Sequence, residues 1–317
     1  MRLATPLPAQ YLLRAQAPKS PLPTPVSGKW ASAQVPAALD ALVNSDVPDT
    51  TRILVRTWNA AKDDPSFGEI QRAIEAGTLT RGDVEEWQAK YNARLEGELL
   101  AKQQNAARIG AAATATAVAA GTGQHIYYGH VSKVLDAYVQ QHTAALVVDI
   151  GEQQRNALKF LVQRYVVESP INPRELGKIV RASIGLTDVQ TSNLARFRDT
   201  LSRAGSDPAS IDRQVSLYGD RMLRMRAERI ARTETAFAFN EAGFTIVREA
   251  RDAGAFTGEL RKRWSTAGDE MVCKMCSAMD GKSVGFDENF DLPFGGLVVR
   301  VPPGHPWCRC TVIYFEA

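Results

Sequence analysis

The chain has 317 residues, is 44% hydrophobic and 23% charged, and carries a net charge of +3. Those proportions are those of a globular protein with room for one or two domains, and so small a charge gives no reason by itself to expect nucleic acid as a partner. No apolar run reaches about 18 residues and the start, "MRLATPLPAQYLLRAQAPKS", lacks a continuous apolar stretch, so neither a membrane span nor a secretory leader is expected.

The elements follow in chain order. Eight of the 16 prolines fall within the first 48 residues, as in "APKSPLPTPVSGKW". Proline removes amide donors and favours extended backbone, so residues 1–47 read as an extended arm and not a domain, either a floppy terminus or an arm that orders on a partner surface. From Pro48 a helical body is expected, to about residue 168. In it Val84, Trp87, Tyr91 and Leu95 recur at steps of three and four, one helical stripe. The Ala-rich "IGAAATATAVAAGTG" reads as a close-packed helix. Further on, Asn172, Pro173 and Glu175 carry the signature of a helix start, with Gly185 as its left-handed stop. Thr187 with Gln190 forms a capping box for the next helix, whose buried face is Leu194, Phe197 and Leu201. A long helix follows. Beyond Phe256 the chain turns rich in Gly, Val and aromatics, and "LVVRV" and "TVIYF" read as short strands. The expected fold is therefore mainly α, a long-helix body with a small C-terminal α+β module, residues 264–317, inside a region spanning 169–317.

That module holds all four cysteines. Cys273-x-x-Cys276 has knuckle spacing, and His305, Cys308 and Cys310 follow about thirty residues later. A chain made in a reducing compartment favours metal or redox chemistry over disulfides. Zinc takes four soft or borderline ligands in a tetrahedron, and a small Gly-rich module gains much from such a clasp. Five donors compete for four places: Cys273 and Cys276 are the firmest, His305-x-x-Cys308 repeats the knuckle, and Cys310 is the alternative to His305. The bland alternatives are small buried thiols or disulfides.

Catalytic readings find less support. A zinc deaminase needs H-x-E before P-C-x-x-C, and that pair is missing. An H-N-H nuclease needs more histidines near its metal, whereas His125, His130 and His142 lie far upstream in helical segments. Upstream of the cysteines, Arg229, Arg232, Glu234 and Asn240 of "RIARTETAFAFNEAG" share a helix. Arg232, Glu234 and Asn240 form a candidate polar ladder against the module. The bland reading is a solvated charged face.

The order "GLTDVQ", "RIARTETAFAFNEAG", "W…D…VCKMCSAMDGK", "PPGHPWCRC" resembles the phage Mu F-like minor head protein family, the head morphogenesis proteins, over about residues 169–311. The resemblance implies a structural protein of a tailed phage, in the head interior near the portal after assembly in the host cytoplasm, aiding assembly, DNA packaging or DNA delivery. It implies the portal protein as partner, with other capsid or scaffold proteins and packaged DNA behind it, and no membrane. No catalytic residue carries over, so an enzyme is not expected. The competing reading is a metal-dependent nuclease or an ADP-ribosyltransferase-type effector. No effector is expected after Ala317, and no part of the chain is read as the E-x-E pair such a transferase needs. Asp280 of the "DG" turn and Trp307 join the interaction residues, and Arg221 and Arg224 are candidate contacts to DNA or portal.

Overall fold

The computed structural model describes residues 28–76, 78, 80–126, 133–168, 171–293 and 297–317. Helix α1 (Gly28–Asp63) continues through Pro36 and Pro48. Its large buried apolar side chains are Val35, Leu39, Leu42, Val43 and Val47, then Leu54 and Trp58, mostly at helical steps of three and four along one face. The expected arm is thus corrected over 28–47. Each proline loses one intrahelical hydrogen bond, and the apolar face buried between neighbouring helices outweighs that loss. Residues 1–27 lie outside the described residues.

Helices α2 (Pro65–Ala76) and α3 (Arg81–Thr122) follow, then α4 (Lys133–Val162), which continues into a π-helical turn, Gln163–Glu168. Trp87 and Leu95 of the expected stripe are buried in one core with Trp58, Val147 and Leu158. The side chains of Val84 and Tyr91 lie outside the described residues. The Ala-rich segment is the second half of α3, where Ala107, Ala111 and Ala115 are buried.

Local capping codes set the next two helices. Asn172 caps α5 (Pro173–Ser183) by accepting from Arg174 N at 2.9 Å. Gly185 leaves that helix at φ +82, where a Cβ would stand 2.4 Å from Leu223 Cδ1, so both the left-handed backbone and the close approach require glycine. Thr187 and Gln190 form the reciprocal box of α6 (Asp188–Arg203), at 3.1 and 3.2 Å. Asp207 caps α7 (Pro208–Asp252), 45 residues long. Leu176, Ile179 and Leu194 share their core with Trp58, Leu95 and Val147, so residue 169 does not divide two cores.

The C-terminal module begins at β1 (Leu260–Ser265). After the short α8 (Lys274–Met279) come β2 (Ser283–Gly285), β3 (Phe290–Asp291), β4 (Val298–Val299) and β5 (Thr311–Glu316). One antiparallel sheet has the order β2-β1-β5, with Trp264 opposite Val312 in β1–β5, and β3 pairs with β4. Both strands expected from the sequence are present. The buried face of the sheet packs with Ala107, Ala111, Leu135, Val139, Phe244 and Val247. The module therefore rests on α3, α4 and the second half of α7.

Candidate metal centre

Two short turns carry the donors. In the first, Cys273 caps α8 and its sulfur accepts from Cys276 N at 3.4 Å. In the second, Cys308 N donates to the His305 carbonyl at 3.2 Å. Each turn closes between the first and fourth residue of its motif, which is why x-x spacing suits a knuckle. The turns meet: His305 Nε2 lies 3.2 Å from Cys273 Sγ and 3.0 Å from Cys276 Sγ. Cys276 Sγ lies 3.8 Å from Cys308 Sγ. Cys310 gathers with Cys276 and Cys308. All five sequence candidates thus converge, as two groups of three that share Cys276.

The donor set fits a metal ion. Two thiolates of a tetrahedral zinc with bonds of about 2.3 Å stand about 3.8 Å apart, the Cys276–Cys308 separation. Hydrogen bonds from Cys276 and Cys310 pull the Cys308 thiol well below the usual thiol range, while Cys276, facing that sulfur, is pushed up. A cation releases the remaining protons, since thiolates and not thiols are the ligands. Cys276, Cys308 and Cys310 are buried, whereas Cys273 is exposed.

The supporting residues come from α7 and the loops. Asn240 Nδ2 donates to the Cys310 carbonyl at 3.1 Å and tethers the second turn to the helix. The Arg232 guanidinium lies over the Trp307 ring, 5.4 Å from its centroid. Trp307 itself is 38% exposed with φ +70, a left-handed conformation rare for a bulky side chain. Asp280 accepts from Thr266 N and Oγ1 at 2.8 and 3.0 Å, bracing the "DG" turn. Glu234 leaves the expected ladder: it faces α4, with Oε2 2.7 Å from His142 Nε2. Arg309, between the two cysteines, binds Asp269 at 2.6 and 2.8 Å and lies 3.6 Å from Asp40 of α1. Arg221, Arg224 and Arg229 are exposed on α7. His125 follows α3 in a loop, not a helix, and His130 lies outside the described residues.

Residues 196–313, from within α6 to within β5, match the model of the family described as phage Mu protein F like protein. This region is similar to the phage Mu F-like family. The match contains all five donors and points to a phage head morphogenesis protein, a component of the virion. Comparison with curated proteins and with solved structures gives no match. Among the described residues, no helix is long and apolar enough to cross a membrane.

The Mu F-like region also buries a charge cluster that sequence reasoning missed. Arg300 Nη2 donates to Glu241 Oε2 at 2.6 Å. Lys262 is fully buried, with Nζ 5.2 and 5.5 Å from the ring centroids of Phe244 and Phe290 and, among the described residues, no hydrogen-bond partner. Two signals were present: Glu241 interrupts the apolar run "AFAFNEAGF", and period two puts Lys262 on the face of Leu260 and Trp264. Burial, then repulsion by Arg300, brings the Lys262 ammonium down from 10.5 to about 8, and burial raises Glu241.

A lysine whose folded pKa is depressed costs stability below that pKa, and the cost fades as pH rises toward the unfolded value. Lys262→Met is therefore expected to stabilise the protein by about 1–3 kcal/mol near neutral pH, with the gain shrinking from about 8 toward 10.5. Denaturant unfolding of both proteins across that window checks it. A constant or negative difference counts against the burial argument.

Proposed function

We propose that this protein is a minor head protein that docks on the portal from inside the phage head, with a structural zinc holding its C-terminal module closed. The carrying observation is that all the cysteines and His305 converge within the region that matches the Mu F-like family. Five donors for one ion leave no coordination place for substrate, which suits a clasp and not a reaction centre. Zinc fits better than magnesium or calcium because four of the donors are thiols.

The long helices supply the docking surface. On α7, Arg221, Arg224 and Arg229 are exposed beside Leu217 at 64% and Met225 at 59% exposure. Interleaved arginine and apolar side chains suit a protein surface with acidic and apolar patches. Packaged DNA is the weaker reading, because Glu228 lies among these arginines and apolar side chains add nothing to phosphate contact.

No enzymatic role is part of this proposal. One E-x-E sequence does occur, Glu96-Gly97-Glu98, against the reading of none. It lies inside α3, where Glu98 pairs with Arg56 at 2.5 Å.

Co-expression with the portal protein of the same phage, followed by co-purification and imaging, tests the reading. Several copies of the chain on the portal ring are expected, and Arg221→Glu with Arg224→Glu should weaken their retention while leaving the fold intact. A chain that never associates with portal removes the docking proposal. DNA cleavage that needs metal and disappears in His305→Ala would replace it with a nuclease.

A further inference from the structure

Five donors gather as two groups of three that share Cys276, whereas an ion needs four, and the local geometry distinguishes them. We infer that the metal is held by Cys273, Cys276, His305 and Cys308, two matching knuckles, and that Cys310 remains a buried free thiol beneath the site. This rests on the structural-metal reading above and deepens it by naming the ligands.

The histidine decides first. His305 Nδ1 lies 2.6 Å from the Pro306 carbonyl. A carbonyl only accepts, so Nδ1 carries the proton, and in the neutral ring Nε2 then presents a lone pair. That lone pair points at the sulfurs of Cys273 and Cys276, 3.2 and 3.0 Å away. A carbonyl behind the ring is the usual support of a ligating histidine. Were Cys310 to take this place, an imidazole lone pair would face two thiolates with nothing between them. The arrangement would be repulsive, and the buried charge would rise from three thiolates to four.

Cys308 against Cys310 is decided next. Both gather with Cys276. Cys308 belongs to the turn that carries His305, so the same short backbone segment delivers both donors, as Cys273 and Cys276 are delivered by theirs. Its sulfur stands at the tetrahedral edge distance from Cys276, 3.8 Å. Cys310 lies past the turn, directly before β5, with its carbonyl engaged by Asn240. Its side chain is 2% exposed, where a neutral thiol packs as a small apolar group without needing a partner.

The test uses the full chain loaded with zinc or cobalt(II), with affinity read by competition against a chromophoric chelator. Wild type is expected to bind one ion with the charge-transfer absorption of three thiolates. Cys310→Ala should bind within about threefold of wild type, whereas His305→Ala and Cys308→Ser should lose at least about 100-fold, beyond the loss seen for outer-sphere partners. His305→Cys guards against simple misfolding: it should keep the ion and raise the cobalt absorption by about a third, three thiolates becoming four. Loss of metal in Cys310→Ala with retention in His305→Ala overturns the assignment in favour of a four-thiolate site. Failure of wild type to bind either ion removes the metal reading itself, and with it this assignment.

Discussion

Deletion of residues 28–47 is expected to unfold the protein, not to trim a flexible arm. Val35, Leu39, Leu42, Val43 and Val47 are each 5% exposed or less and form one core with Ala106, Ala231, Ala236, Ala238 and Phe239. Each such side chain contributes about 1.5–3 kcal/mol on burial. Five together amount to roughly 10 kcal/mol, comparable to the whole stability of an ordinary domain. The deletion also bares the alanine-rich faces of α3 and α7, which are too shallow to bury themselves otherwise. Circular dichroism and thermal melting measure the effect, with deletion of residues 1–27 as the comparison. A cooperative melt at the wild-type temperature after removal of 28–47 would contradict the packing described. It follows that portal docking by the N-terminal segment has to be tested with the shorter deletion.

Gly110→Ala is expected to destabilise the protein by about 3 kcal/mol, the upper part of the range for overpacking. In an ordinary exposed helix the same change would stabilise by up to about 1 kcal/mol, so the sign itself tests the structure. A Cβ at Gly110 would stand 2.1 Å from the Phe239 carbonyl oxygen and 2.7 Å from its Cα. These are backbone atoms of α7 and cannot rotate away, so the two helices must separate. One turn further along both helices, Gly243 faces Thr114 Oγ1 at 2.4 Å for the same added atom. There a hydroxyl can change rotamer, so Gly243→Ala should cost less. The residue after Phe239 is Asn240, the tether to Cys310, so metal affinity should fall along with stability in Gly110→Ala. Melting curves and the chelator competition read both effects, and an unchanged or raised melting temperature would mean that α3 and α7 do not cross this closely.

Much of this was legible in the sequence because the relevant physics is local. A cap satisfies amides two or three residues away, so Asn172, Thr187 and Gln190 could be read without knowing their surroundings. The same holds for the two knuckles, whose spacing alone brings two donors to one side of a turn, and for the helical, then strand-containing order of the chain. Proline misled over residues 28–47 because its local cost is fixed while the gain from burial depends on helices that lie far along the chain. Glu234 was taken for a partner of the C-terminal module, but the carboxylate turns to His142 on α4, a neighbour 92 residues away. The Glu241–Arg300 pair and the buried Lys262 are likewise products of long-range packing: only docking of the module on α7 removes water from these groups and makes their charges matter. What the sequence by itself determined is the starts of α5 and α6, the class of fold and the five sulfur and nitrogen groups that gather in the module. Only the tertiary structure decided that α1 is core, that a close α3–α7 crossing carries the module, and that His305 turns Nε2 toward the thiols, because each depends on surfaces meeting across the chain.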